Sequence, residues 1–254
     1  MLDLASYALF ADLREEQHRL LLDQHRLMRF QAGRPLLHEQ DDGQGLFLFR
    51  SGIAKVRSID AEGQEVVLSL LGPGDLCGEM AILQGARRSA DVICLTDCEL
   101  LLLRAAPFQA LLHQEPCLAL ALARLEAQRL QSLNRRFVRR ESSAADRLLQ
   151  VLEDLATRTA PGAPPTAPIP PLPQRELAAL SGLARETASR ALVRLRRQGL
   201  VEQLPGGRLR LLGNGPGGGQ GVFQSLPSSP RAQRPGVPNV GSVKIPRPDH
   251  DPAA

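Results

Sequence analysis

Tryptophan is absent from this 254-residue chain, and tyrosine occurs once. Aromatic residues make up only 3% of a sequence that is 43% hydrophobic, so its core has to be built mostly from Leu, Ala and Val. The four cysteines, Cys77, Cys94, Cys98 and Cys117, form no CxxC pair, and no histidine stands at zinc-ligand spacing from them. A metal or redox centre is therefore not expected, and reduced thiols in a core are. No apolar run approaches the roughly 18 residues of a membrane span. The opening MLDLASYALFADLREE lacks the basic start of a signal peptide, and a cytoplasmic protein without a membrane partner is expected. The five histidines (18, 25, 38, 113 and 250) are scattered, with no nucleophile or metal cluster to pair with. GPGDLCG at 72–78 is not GxGxxG, and neither a Walker loop nor a nucleophile elbow occurs. The chain is not expected to be an enzyme.

What is present falls into blocks. Residues 12–27 read as a helix with a leucine face at Leu13, Leu20 and Leu27. From about Phe30 to Leu103, short apolar runs (LFLF, VVLSLL, DVICL, ELLLL) alternate with turn signals such as DDGQG, DAEG and GPGD. That spacing predicts a compact antiparallel barrel or jelly roll. Residues 116–138 form a long helix opened by Pro116, and Leu111, Leu118 and Leu125 recur every seven residues; that stripe either packs on the chain's own domain or, the favoured reading, pairs with a second copy. Ser143 and Asp146 are placed to cap a further helix running to about Thr157. Seven prolines within residues 157–173 predict a stiff loop or linker. The last 42 residues, from Gly213, hold eight glycines and eight prolines and read as a disordered tail.

Between these lies QRELAALSGLARETASRALVRLRRQGLV (174–201), with the pattern of a helix–turn–helix. Leu177, Ala178, Leu180, Ala188 and Leu192 face inward, Gly182 makes the turn, and EQLPGGRLRLL supplies a β wing. Residues 174–212 carry eight arginines against three glutamates, a charge balance suited to phosphates. Arg185, Glu186 and Arg190 fall within about 140° of arc at the start of the second helix. Arginine donates to the O6/N7 edge of guanine and glutamate accepts from N4 of cytosine, so double-stranded DNA is the expected partner.

One short stretch poses its own question. GEMAILQGARRSA (78–90) places Glu79 and Arg88 at opposite ends of a loop. Either a small anionic ligand lies between them, or they close the loop as a salt bridge.

Three motifs together resemble the cyclic AMP receptor protein / fumarate–nitrate reductase regulator (CRP/FNR) superfamily of bacterial transcription regulators, over about residues 10–212. They are GPGDLCGEMAIL (72–83), ARRSADVICL (86–95) and SGLARETASRAL (181–192). The resemblance implies an α+β chain: a double-stranded β-helix (jelly-roll) cyclic-nucleotide-binding sensor over 1–115, a dimerisation helix over 116–140, a winged helix-turn-helix over 141–212, and the tail. It implies cyclic AMP as effector. Gly78 and Glu79 would hold the ribose, with the carboxylate accepting from the 2′-OH; Arg88, Ser89 and Ala90 would take the cyclic phosphate. An ungapped carry-over places the base-reading hydroxyl at Ser132. Arg185, Glu186, Thr187 and Arg190, with Gln174 and Arg175, would contact an inverted-repeat operator with half-sites like TGTGA. A homodimer that works with RNA polymerase is implied. With no cysteine before residue 77 and no histidine near the Gly-Glu turn, neither an iron–sulfur cluster nor haem is expected. The alternative is a family member with a vestigial pocket that binds DNA without a ligand or senses redox through Cys94 and Cys98.

Overall fold

The structure is a computed structural model that describes residues 3–43, 45–138, 142–159, 162, 164 and 166–213. After a turn of 3-10 helix (Leu4–Ser6) come α1 (Glu15–Leu22), β1 (Arg26–Phe30), β2 (Pro35–Leu37), β3 (Gly45–Ser51), β4 (Ala54–Ile59), β5 (Glu65–Leu71) and β6 (Leu76–Cys77). Then follow α2 (Glu79–Gln84), β7 (Asp91–Cys94), β8 (Cys98–Arg104), α3 (Ala105–Gln114), α4 (Pro116–Val138) and α5 (Ala144–Thr159). The chain continues through α6 (Gln174–Ser181), α7 (Arg185–Arg197), β9 (Val201–Gln203) and β10 (Leu209–Leu211).

Two four-stranded antiparallel sheets, ordered β1-β8-β3-β6 and β2-β7-β4-β5, make the expected jelly roll. The unbroken apolar runs of β3 and β8 have a physical cause. Successive side chains of a strand point to opposite faces. Leu46 and Leu48 of β3, with Leu101 and Leu103 of β8, pack outward under Phe10, Leu21, Phe108 and Leu118. Phe47, Phe49 and Leu100 pack inward with Cys77, Cys94 and Cys98. Both faces are covered, so neither strand can alternate apolar with polar. Phe49 has no exposed surface, and truncating such a side chain to alanine costs about 3–5 kcal/mol.

A third core joins α5, α6, α7 and the wing, through Leu148, Leu152, Leu155, Leu177, Leu195 and Leu211. Ile53, Leu70 and Leu95 of the jelly roll belong to the same cluster.

The structure departs from the sequence expectations in four places. The first helix is only Glu15–Leu22, Leu27 lies in β1, and both Leu20 and Leu27 are exposed. Over two turns the buried positions are Gln17 and Leu21, so a seven-residue leucine spacing has no face to define. Leu111 belongs to α3, across a break at Glu115 from α4, and both Leu111 and Leu118 are buried against the chain's own barrel. They are therefore not the pairing stripe; among the described residues, the large apolar side chains that α4 exposes are Leu120, Leu130 and Leu133. On α7, Leu192 packs against the third core as expected but is only half-buried, and Ala191 and Leu195 are the fully buried positions. The proline-rich stretch is no free linker at its end. Ile169 is buried and exchanges backbone hydrogen bonds with Leu209 of the wing at 2.7 and 3.2 Å. The expected helix cap holds: the Ser143 hydroxyl bonds the Asp146 carboxylate at 2.7 Å and accepts from the Asp146 N–H at 3.3 Å. The expected disordered tail lies, from residue 214 on, outside the described residues.

Candidate effector pocket and nucleic-acid interface

The pocket is built by two turns and one long helix. Gly72 and Asp75 close the first turn, with the Asp75 carboxylate accepting from the Gly72 N–H at 2.8 Å. The chain then runs through β6 to Gly78, which takes φ +89° and reverses it into α2. A side chain is strained in that backbone conformation. A Cβ at Gly78 would also run into the guanidinium of Arg88, as would one at Gly43. Glycine thus lets the backbone wrap closely around that arginine.

Arg88 is 5% exposed. Its Nη1 donates to the Gly78 carbonyl and its Nη2 to the Gly45 carbonyl, both at 2.7 Å. Its backbone is tied to residues 40 and 41 by two further bonds. Burial lowers its pKa, against the raising influence of Cys77, Glu79 and Asp41. Glu79, 2% exposed, heads α2. It does not bridge to Arg88. Its Oε1 accepts from Nη1 of Arg129 on α4 at 2.6 Å, and the same nitrogen serves Glu126 at 2.9 Å. Arg129 Nη2 also donates to the Leu76 carbonyl. Burial first, then the neighbouring Glu79, raises the pKa of Glu126.

Two buried side-chain atoms lack a hydrogen-bond partner among the described residues: Oε2 of Glu79 and Nε of Arg88. One is an acceptor and the other a cationic donor. An orphaned buried polar group is costly and calls for an explanation. A ligand carrying a hydroxyl at one end and an anion at the other would satisfy both.

The remaining expected pocket residues are placed as follows. Ala90 is buried behind Arg88, and exposed Ser89 turns its hydroxyl toward Met80 Sδ at 3.7 Å. Ser132 lies on α4, its hydroxyl donating to the Gln128 carbonyl at 3.0 Å. The sequence reading missed Arg129 and Glu126. A signal for Arg129 was present: it continues the Leu118, Leu122, Leu125 stripe by one helical step, so it faces the barrel.

The second candidate site is on α6 and α7. Gly182, at φ +59°, closes α6 with its N–H on the Ala178 and Ala179 carbonyls. Arg147 of α5 donates to the Gly182 carbonyl at 2.5 Å and holds the turn. Ala188, Ala191 and Leu195 bury one face of α7. Its other face exposes Arg185, Glu186 and Arg190, with Thr187 half-buried at the edge. Gln174 and Arg175 are exposed at the start of α6. The wing strands β9 and β10 pair Val201 with Leu211 and Gln203 with Leu209.

The arrangement defines a jelly roll that buries one unpartnered acceptor and one unpartnered cationic donor, joined to a winged helix-turn-helix. Comparison with known proteins agrees. The family model for the cyclic nucleotide-binding domain matches residues 27–115, and that for the Crp-like helix-turn-helix domain matches 146–213. The cyclic AMP receptor protein of Thermus thermophilus is 34% identical over 203 residues, covering 78% of this chain and 89% of its own. The cAMP-activated global transcriptional regulator CRP of Haemophilus influenzae is 29% identical over 177 residues, 69% of this chain and 79% of that one. The c-di-GMP responsive global regulator CLP of Xanthomonas campestris shares the fold, with a TM-score of 0.63 at 24% identity over 79% of this chain and all of that one.

The chain belongs to the CRP/FNR superfamily. It is a DNA-binding transcription regulator with a cyclic nucleotide-binding domain, from a family of regulators and not of enzymes.

Proposed function

We propose that the protein is a homodimer that binds an inverted-repeat operator when cyclic AMP occupies its jelly roll. The observation that carries this reading is the pair of orphaned buried atoms on Glu79 and Arg88. Glu79 Oε2 accepts from the ribose 2′-OH. Arg88 Nε, with donors from Ser89 and the backbone near Gly78 and Ala90, takes the cyclic phosphate. Ser132 lies toward the base. The names of the relatives in Thermus and Haemophilus favour cyclic AMP over other nucleotides.

Dimerisation uses the free face of α4. Leu120, Ala123, Ala127, Leu130 and Leu133 are exposed and fall within about 140° of arc, a face that a second α4 would cover. Pairing there places two copies of α7 about 34 Å apart, one turn of DNA. Arg185, Glu186, Thr187 and Arg190 then read base edges, and Gln174 and Arg175 hold the backbone. The regulator works in the cytoplasm with RNA polymerase. No helix among the described residues is long and apolar enough to cross a membrane.

The test is fluorescence anisotropy on a duplex bearing inverted TGTGA repeats and on a scrambled duplex. Cyclic AMP is expected to raise affinity for the first and not the second. Equal binding to both, with or without the nucleotide, overturns the reading.

A further inference from the structure

The chain has twenty-nine arginines and two lysines, Lys55 and Lys244. Lys55 sits in β4 and is 4% exposed. Its Nζ donates at 2.6 Å to Glu65 of β5 and at 2.6 Å to Glu176 of α6. One ammonium thus ties the sensor sheet to the first helix of the DNA-reading module. A compact ammonium with rotatable donors serves both carboxylates from a single nitrogen.

The pair does not stand alone. Glu65 also accepts from Arg57 at 2.9 Å, and Arg57 Nε donates to Asp91 at 3.2 Å. Asp91 directly follows the Arg88–Ala90 segment and also accepts from the Glu39 N–H at 2.9 Å. A continuous ladder, Asp91–Arg57–Glu65–Lys55–Glu176, therefore crosses the sheet from the anion end of the pocket to α6. Beneath it, Ile53, Leu70 and Leu95 pack with Leu148, Leu152 and Leu177. Beside it, Arg158 of α5 pairs with Asp75 and lies against Gly72. Glu176 stands next to Gln174 and Arg175, so its ion pair fixes the helix end that would meet DNA.

We propose that Lys55 is the clamp holding the DNA-reading module on the sensor barrel, and that release of its bond to Glu176 is part of the step that produces the operator-binding form. The clamp rests on the function proposed above. Exposed ion pairs bias an equilibrium little. Removing one partner of a buried pair is far more costly, because the other charge is left stranded. Lys55 and the carboxylates on either side of it therefore bias the two arrangements.

Glu176→Gln and Lys55→Ala break the clamp from opposite sides, and neither residue is among the proposed DNA contacts. In the full-length protein, both are expected to raise amide exchange in α6 and β5. Without cyclic AMP, both are expected to raise affinity for the inverted-TGTGA duplex about tenfold, while affinity at saturating cyclic AMP stays within about twofold. The double variant should gain no more than the larger single, since all three lose the same bond. Equal gains with and without the nucleotide would show only a charge effect on DNA, and together with unchanged exchange in α6 would overturn the clamp. Wild-type indifference to cyclic AMP would remove the functional reading of the pocket; the exchange data would then decide the clamp by themselves.

Discussion

The carboxylate of Glu79 is held at 2.6 Å by Arg129, fifty residues further along the chain, and not by Arg88 at the other end of its own loop. That division leaves each of the two pocket residues one buried atom to offer a ligand. Arg129 is also the link between the pocket and α4.

Arg129→Ala strands a carboxylate whose side chain is 3% exposed. The expected cost is about 3 kcal/mol of folding stability. Urea unfolding at pH 7 and fixed protein concentration measures it. Adding Glu79→Gln to the same chain should recover part of the loss, because the uncompensated charge is gone. A double variant no more stable than Arg129→Ala alone contradicts the pairing.

The ladder makes stability depend on pH through Glu65. Burial pushes its carboxyl up, but hydrogen bonds from Lys55 and Arg57 more than reverse this and hold it below its ordinary 4.5. A carboxyl whose folded pKa is depressed contributes stability above the unfolded value, and that contribution is lost as pH falls through the folded one. Wild type should therefore exceed Glu65→Gln in stability at pH 7, and the two curves should converge as pH falls below the ordinary 4.5 and through the folded value. Parallel curves down to pH 3 would show that the ion pairs do not carry the difference.

On the proposed DNA interface the exposed arginines are expected to divide by role. Arg185→Ala should leave thermal stability unchanged and cost about 1–3 kcal/mol on the specific duplex, with relaxed preference at one base pair. Arg175→Ala should weaken specific and scrambled DNA alike and reduce the salt slope by about 0.9. Salt-dependent anisotropy separates the two. A uniform loss for Arg185→Ala would assign it to the phosphate backbone.

On α4, Leu130 is 62% exposed in the single chain. Leu130→Asp should convert the dimer to monomer in sedimentation velocity and leave the fold intact. A persistent dimer places the contact elsewhere.

The jelly roll was legible because turn signals punctuate its apolar runs: DAEG and GPGD lie between strands, and DDGQG ends where β3 begins at Gly45. Glu79 and Arg88 were legible through the motifs that contain them. Arg129 was missed although it continues the leucine stripe of α4, because a polar residue on an amphipathic helix looks solvated until the barrel beside it is known. The seven-residue leucine spacing misled for a related reason. It spans the break at Glu115, and burial there follows the chain's own barrel, not a helical partner. Lys55 gave no signal as a clamp: its two carboxylates come from β5 and α6, far apart in sequence.

Titration calorimetry with cyclic AMP, on wild type beside Glu79→Gln and Arg88→Lys, decides whether the Glu79 carboxylate and the Arg88 guanidinium hold the nucleotide. Saturable binding is expected in wild type, with its loss in both variants. Arg88→Lys fails because one ammonium cannot replace a fork that spans the Gly78 and Gly45 carbonyls and still offers Nε. No heat and no thermal stabilisation of wild type by cyclic AMP, or undiminished binding in both variants, would contradict that reading.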